Sequence, residues 1–209
     1  MKYPKALTGV RLFVPAEILC VIVSLLTFII VILVNNIDFT NMQQTDVLIN
    51  RLAFGYLLVN IFSIIAFVLK LVGFQIARKD ERQFRKSLFF SVIGMIFILF
   101  GLFTAGTFAS FVWGVNEVAN LLVVIYAILA IYNLAEKEDD QDVMKRGKIA
   151  LVFIAIIFGV AVINATITIF IPTVDAVFKI LGAALDLLGH AAYLSFLLAA
   201  KKMLKNATV

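Results

Sequence analysis

Charge, cysteine, histidine and proline are all scarce in this chain. Of 209 residues, 15% are charged, three are proline, and there is one cysteine and one histidine. A soluble domain usually carries about a quarter charged and roughly half apolar residues. Here 63% are hydrophobic, 20 of them phenylalanine, and the mean hydropathy is +1.08. So few charges leave much of a small globule's surface apolar, so lipid must serve as its solvent. Cys20 alone excludes an internal disulfide and a cysteine-based metal cluster. With His190 the only imidazole, no metal and no cofactor are expected. The sequence contains no His-Glu-x-x-His, and no glycine motif frames a span serine such as Ser91 or Ser195 beside His190. The chain reads as a non-enzyme.

What the sequence has in abundance is long apolar runs. Segments able to cross roughly 30 Å of hydrocarbon fall at about 14–34, 52–76, 87–109, 112–134, 149–171 and 174–200. The first follows a basic start, as in a signal peptide. Its apolar run continues to Val34, however, and no small-residue cleavage site follows, so it reads as a retained helix. A single helix through 87–134 would be about 72 Å long, too long for one crossing. A tight turn near 106–112 is therefore expected. The fold class is an all-α, polytopic membrane protein of six helices in a single domain.

The basic residues place those helices. Fifteen of the 18 lie in the N-terminal segment, the connections after spans two and four, and the tail. The opposite loops hold Arg51, and Lys70 and Lys179 lie within spans. By the positive-inside rule both termini are expected in the cytoplasm of a cell-membrane protein. The net charge of +5 is thus a topology signal, and no nucleic-acid partner is implied. Asp80 and Glu81, and then Asp139, Asp140 and Asp142, precede basic residues at the starts of spans three and five. Acidic groups suit a helix N-terminus, and Glu81–Arg85 and Asp142–Arg146 stand at i,i+4 spacing. These charges are expected to be solvated.

Three spans end alike: "FQIARK" at 74–79, "YNLAEK" at 132–137 and "FLLAAK" at 196–201. The common form, aromatic-x-Ile/Leu-Ala-x-Lys, suggests a three-hairpin pseudo-repeat in which spans six and one form the third hairpin. The bland reading is an aromatic belt residue followed by a snorkelling lysine.

Ionisable residues deep in a span cost about 2.5–3.5 kcal/mol at the helix centre and normally face the bundle interior. Glu17 and Lys70, counted from the ends of the apolar runs, fall within two turns of the cytoplasmic side and are expected to snorkel. The stretch "KILGAALDLLGHAAY" at 179–193 is different. Asp186 and His190 return to within about 20° of Lys179 around the helix, forming one stripe that Tyr193 continues. Asn60 on span two, Asn116, Glu117 and Asn120 on span four, and Asn164 on span five, with Thr166 and Thr168 beyond it, are expected at comparable depths. Gly182 and Gly189 flank the stripe and allow close approach. The bland reading is interhelical hydrogen bonding, including a closed Asp186–His190 pair. The sharper one is a binding chamber in the outer half, where Glu117 and Asp186 meet a positive group and Lys179 a carboxylate. The asparagines then orient the solute, and His190 relays a proton.

The expected function is a small transporter, or a solute-binding subunit working with a partner membrane protein, for a cationic or zwitterionic solute. The alternative is a non-transporting assembly or regulatory subunit. In size, six-helix layout and outer-half polarity the chain is similar to the vitamin-binding subunits of energy-coupling-factor importers, which implies a pocket open to the outside. It differs from them in span one, "PAEILCVIVSLLTF", which lacks their Ala-x-x-x-Ala pattern.

Overall fold

The computed structural model describes residues 2–35, 42–101, 103–104, 106–170 and 175–207. They form six helices: α1 Pro4–Asn35, α2 Met42–Ala77, α3 Gln83–Gly101, α4 Gly106–Lys137, α5 Gln141–Phe170 and α6 Asp175–Asn206. All six contain windows long and apolar enough to cross a membrane. The side chains of Arg51, Thr166 and Thr168 lie outside the described residues.

Several boundaries differ from the sequence reading, for one reason. Apolar runs mark the hydrocarbon-spanning part of a helix, whereas hydrogen bonding carries the helix on through polar turns. Thus α1 begins at Pro4, not near 14, and α2 at Met42, not near 52. The break between α3 and α4 falls between Gly101 and Gly106, ahead of the expected 106–112. Pro4 suits a first helical position because its missing N–H would find no partner there anyway. The next two amides are capped from outside: Asp80 Oδ2 accepts from the backbone N–H of Lys5 at 2.7 Å and of Ala6 at 2.8 Å.

The helices form a ring in chain order. α1 packs against both α2 and α6, α3 against α4, and α5 against α6. The α4–α5 and α2–α3 seams are thinner, and α4 only grazes α6 across the middle. Chain order closes the ring because α1 lies beside α6. The tightest crossing is α1 on α2, where a Cβ at Gly9 would stand 2.6 Å from the Ala77 Cβ and 2.7 Å from the Gly73 carbonyl. Gly73 in turn leaves room for the Phe13 ring. Phe13, Phe74 and Phe84 then join three helices, with ring centroids 4.7–6.4 Å apart.

The core sits at one end of the ring. Leu7, Val10, Phe13, Phe74, Phe84, Leu134, Phe196 and Leu204 are all buried there. Gly147 of α5 admits Phe196 and lies against Tyr132. Polar bonds tie the chain segments of this end together. Lys2 donates to Glu138 at 2.8 Å. Lys137 donates to Glu81 at 2.9 Å, with Asn133 adding a longer contact of 3.5 Å. Glu81 is therefore buried against α4, not paired with Arg85 or solvated as its spacing suggested; the tertiary partner desolvates it and outcompetes the local one. Asp142–Arg146 does form, at 3.0 Å. Between α4 and α5 the chain reverses through Asp139 at φ 52°. The Asp140 amide bonds back to Ala135, and its carboxylate caps α5 by accepting from Val143.

Candidate functional site

The starting point is Glu17, whose side chain is 0% exposed. Because α1 starts at Pro4, Glu17 lies about 20 Å along the helix, and no side chain reaches the end from there. A buried carboxylate persists only with partners. Two other helices supply them. Lys70 Nζ of α2 lies 2.9 Å from Glu17 Oε2, and His190 of α6 engages Glu17 Oε1 through Nδ1. The sequence reading that Glu17 and Lys70 snorkel is corrected: they form the central ion pair, because α1 extends beyond its apolar run and buries its own acidic residue.

Cys20, one turn after Glu17, accepts from Lys70 Nζ at 3.2 Å. Tyr193, one turn after His190, is buried beside them. Since an ionised Glu17 can only accept, Nδ1 of His190 is its donor and Nε2 is the ring's remaining nitrogen. One carboxylate thus serves two basic side chains. Glu17, Cys20 and His190 also each bring a donor atom to within 4.8 Å of the others. A metal could bridge such a set, but the Lys70 ammonium already engages two of its members.

Lys70 and His190 open onto a cavity of about 320 Å³ inside the ring. α1 contributes Cys20 and Val23, α2 Ser63 and Phe67, α3 Ser91, and α4 Asn120, Val123 and Val124. Glu17 stands behind this wall. The cavity therefore presents an apolar body with a cationic and hydrogen-bonding patch at one place.

The remaining expected site residues are spread around it. Asn116 is buried on α4, its Oδ1 without a hydrogen-bond partner among the described residues. A Cβ on Gly94 would stand 3.2 Å from that oxygen and 3.5 Å from Asn120 Oδ1, so both carboxamides face α3. Asp186 and Glu117 are exposed, and each lies within electrostatic reach of an expected site residue, Asp186 of His190 and Glu117 of Asp186. Among the described residues neither makes a hydrogen bond. The closed Asp186–His190 pair is thus not formed: His190 turns to Glu17. Asn60 bonds the Tyr56 carbonyl of its own helix at 2.9 Å. Lys179 is exposed and Asn164 half-buried, both outside the cavity wall. Reasoning from the sequence missed Glu17, Lys70 and Cys20. The signal available was the i,i+3 spacing of Glu17 and Cys20 on the same face as Val10, Phe13 and Val14.

No protein-family model, no curated protein and no solved structure matches this chain.

Proposed function

We propose that this protein is a small multi-pass membrane transporter, or the solute-binding membrane subunit of one, acting on a cationic or zwitterionic solute. The observation that carries the reading is the cavity of about 320 Å³ at the centre of the helix ring, faced by Lys70, His190 and Asn120. Its volume falls within the range of ligand sites, roughly 300–1,000 Å³. Ionisable groups at this depth are costly unless they serve a pathway or a partner. Asp186 and Glu117, exposed on α6 and α4, would supply negative charge on the approach to it.

The end carrying Lys2, the α2–α3 and α4–α5 connections and the tail is the cytoplasmic face of a cell membrane on this reading, by the positive-inside rule. The three-hairpin pseudo-repeat needs α6 beside α1, where it lies, while its other two hairpins, α2–α3 and α4–α5, are the thinner seams of the ring. The ligand-dependent thermal shift of purified protein, across a panel of amines and amino acids, tests the function. Wild type should be stabilised by at least one solute, and Asp186→Asn should fold normally yet lose that response. Were no solute to shift the wild type at any pH between about 5 and 8, the span over which histidine titrates, the proposal would fall.

A further inference from the structure

The charge arrangement around Glu17 points to what the cavity takes. Lys70 lies between Glu17 and Cys20 and also faces the cavity. His190 has Nδ1 engaged by Glu17 and Nε2 remaining. Both side chains line the cavity, whereas the acid that balances them does not. A ligand therefore meets the Lys70 ammonium and the His190 ring before it meets an acid. The walls around those donors are apolar, formed by Phe67, Val23, Val123 and Val124.

Charge balance then dictates a second feature. Without ligand, the Glu17 carboxylate and the Lys70 ammonium cancel. A carboxylate entering beside Lys70 would leave one uncompensated negative charge in a desolvated space, which is strongly unfavourable. Protonating His190 at Nε2 restores neutrality and creates a second donor aimed at the same anion. No other group facing His190 offers both. Protonating Glu17 would break its pairing with Lys70 and aim no donor into the cavity, Cys20 and Tyr193 add no positive charge, Lys70 is already protonated, and Asp186 and Glu117 do not line the cavity.

We infer that the cavity binds the carboxylate end of a small solute with an apolar body between Lys70 and His190, and that a carboxylate not balanced by the solute's own ammonium takes up a proton on His190 as it binds. This rests on the solute-binding reading above and assigns the anionic end of the solute, with proton coupling, to this site.

Isothermal titration calorimetry of the full chain in lipid nanodiscs tests it, using 3-phenylpropionate, phenylalanine and phenethylamine in buffers of different ionisation enthalpy. 3-Phenylpropionate should bind with net proton uptake and with an affinity that falls as pH rises; phenylalanine, whose ammonium already balances its carboxylate, should bind without that uptake. His190→Gln keeps a donor for Glu17 but cannot gain charge. It should abolish proton uptake and weaken 3-phenylpropionate by on the order of tenfold or more, the worth of a charge-assisted hydrogen bond. An unchanged unfolding midpoint would show that the variant folds. Binding of 3-phenylpropionate without proton uptake, or uptake that survives in His190→Gln, overturns the inference. Binding of phenethylamine alone overturns it while sparing solute binding. Binding of none of the three removes the inference; the wider amine and amino-acid panel then decides the fate of solute binding itself.

Discussion

The two ends of this helix ring are built on opposite terms. At the end with the basic connections, glycines bring backbones together, phenylalanines interlock, and every described connection is tied to a neighbouring element by a carboxylate. Asp80 caps α1, Glu81 holds Lys137, and Glu138 holds Lys2. Toward the other end the helices separate. Gly114, Gly159 and Gly182 have nothing within 4 Å of where a side chain would start, and Asp186, Glu117 and Asn120 are exposed. The Glu17–Lys70–His190 cluster lies on the boundary between the two. A rigid base under an open half is an arrangement suited to holding a site in register while leaving its approach free to change.

Breaking the boundary should cost most. Lys70→Met leaves Glu17 buried with only a half-exposed imidazole for company. Removing one partner of a buried pair typically destabilises by about 3–5 kcal/mol. The double variant Glu17→Gln/Lys70→Met removes both charges and should recover most of that loss. Unfolding in mixed micelles against increasing denaturing detergent measures both. A single Lys70→Met variant as stable as wild type would show that Glu17 is not held as an ion.

The same substitution made in each half compares them directly. Gly9→Ala places a methyl within 2.6 Å of the Ala77 Cβ and 2.7 Å of backbone oxygen, so α1 and α2 must part. Overpacking of this kind costs roughly 1–3 kcal/mol. Gly182→Ala meets open space and should instead stabilise α6 by about 0.5–1 kcal/mol, the ordinary gain from replacing a mid-helix glycine. Equal effects of the two changes would erase the distinction between a packed and an open end.

Asp186→Asn sharpens the contrast in another way. An exposed residue without a hydrogen bond among its described neighbours should alter stability by no more than about 0.5 kcal/mol. Any effect should appear in ligand response alone, measured by thermal shift with and without solute. A large loss of stability would mean that Asp186 is a structural member of the bundle.

The helices themselves were readable from apolar run length, because hydrocarbon thickness sets a lower bound that composition must meet. The depth of a residue was not, because it depends on where the helix starts, and polar turns beyond the apolar run are silent in a hydropathy reading. That is why Glu17 looked superficial and is central. Asp186 drew attention by standing alone in an apolar run, yet solitary acids mark cost, not contact. His190 was singled out for the right stripe but given the wrong partner, since its own helix offered Asp186 and only the ring's closure offers Glu17. Asn116 and Asn120 both face Gly94 of α3; that common neighbour depended on the α3–α4 register, which the sequence does not encode.

The smallest expected effect lies at the surface of the packed end. The Lys2 ammonium donates to Glu138 and holds its carboxyl below the usual range, while Glu138 holds Lys2 above the usual lysine value. For Glu138 the depressed folded value means that the pair's contribution is present above the ordinary carboxylate titration and is lost as pH falls through the folded value. For Lys2 the contribution is full below the ordinary lysine titration and is lost as pH rises through the raised one. Lys2→Met should therefore match wild type in strong acid and fall slightly below it from about pH 5 to 9, between those two titrations. Because Lys2 is exposed, about 1 M salt should erase even that difference. Unfolding midpoints of the two proteins across pH, at low and high salt, make the comparison. A gap that persists in high salt would mean that Lys2 anchors the N-terminal segment by packing over Tyr3, whose ring centroid lies 5.5 Å from its ammonium, more than by its charge pairing with the α4–α5 connection.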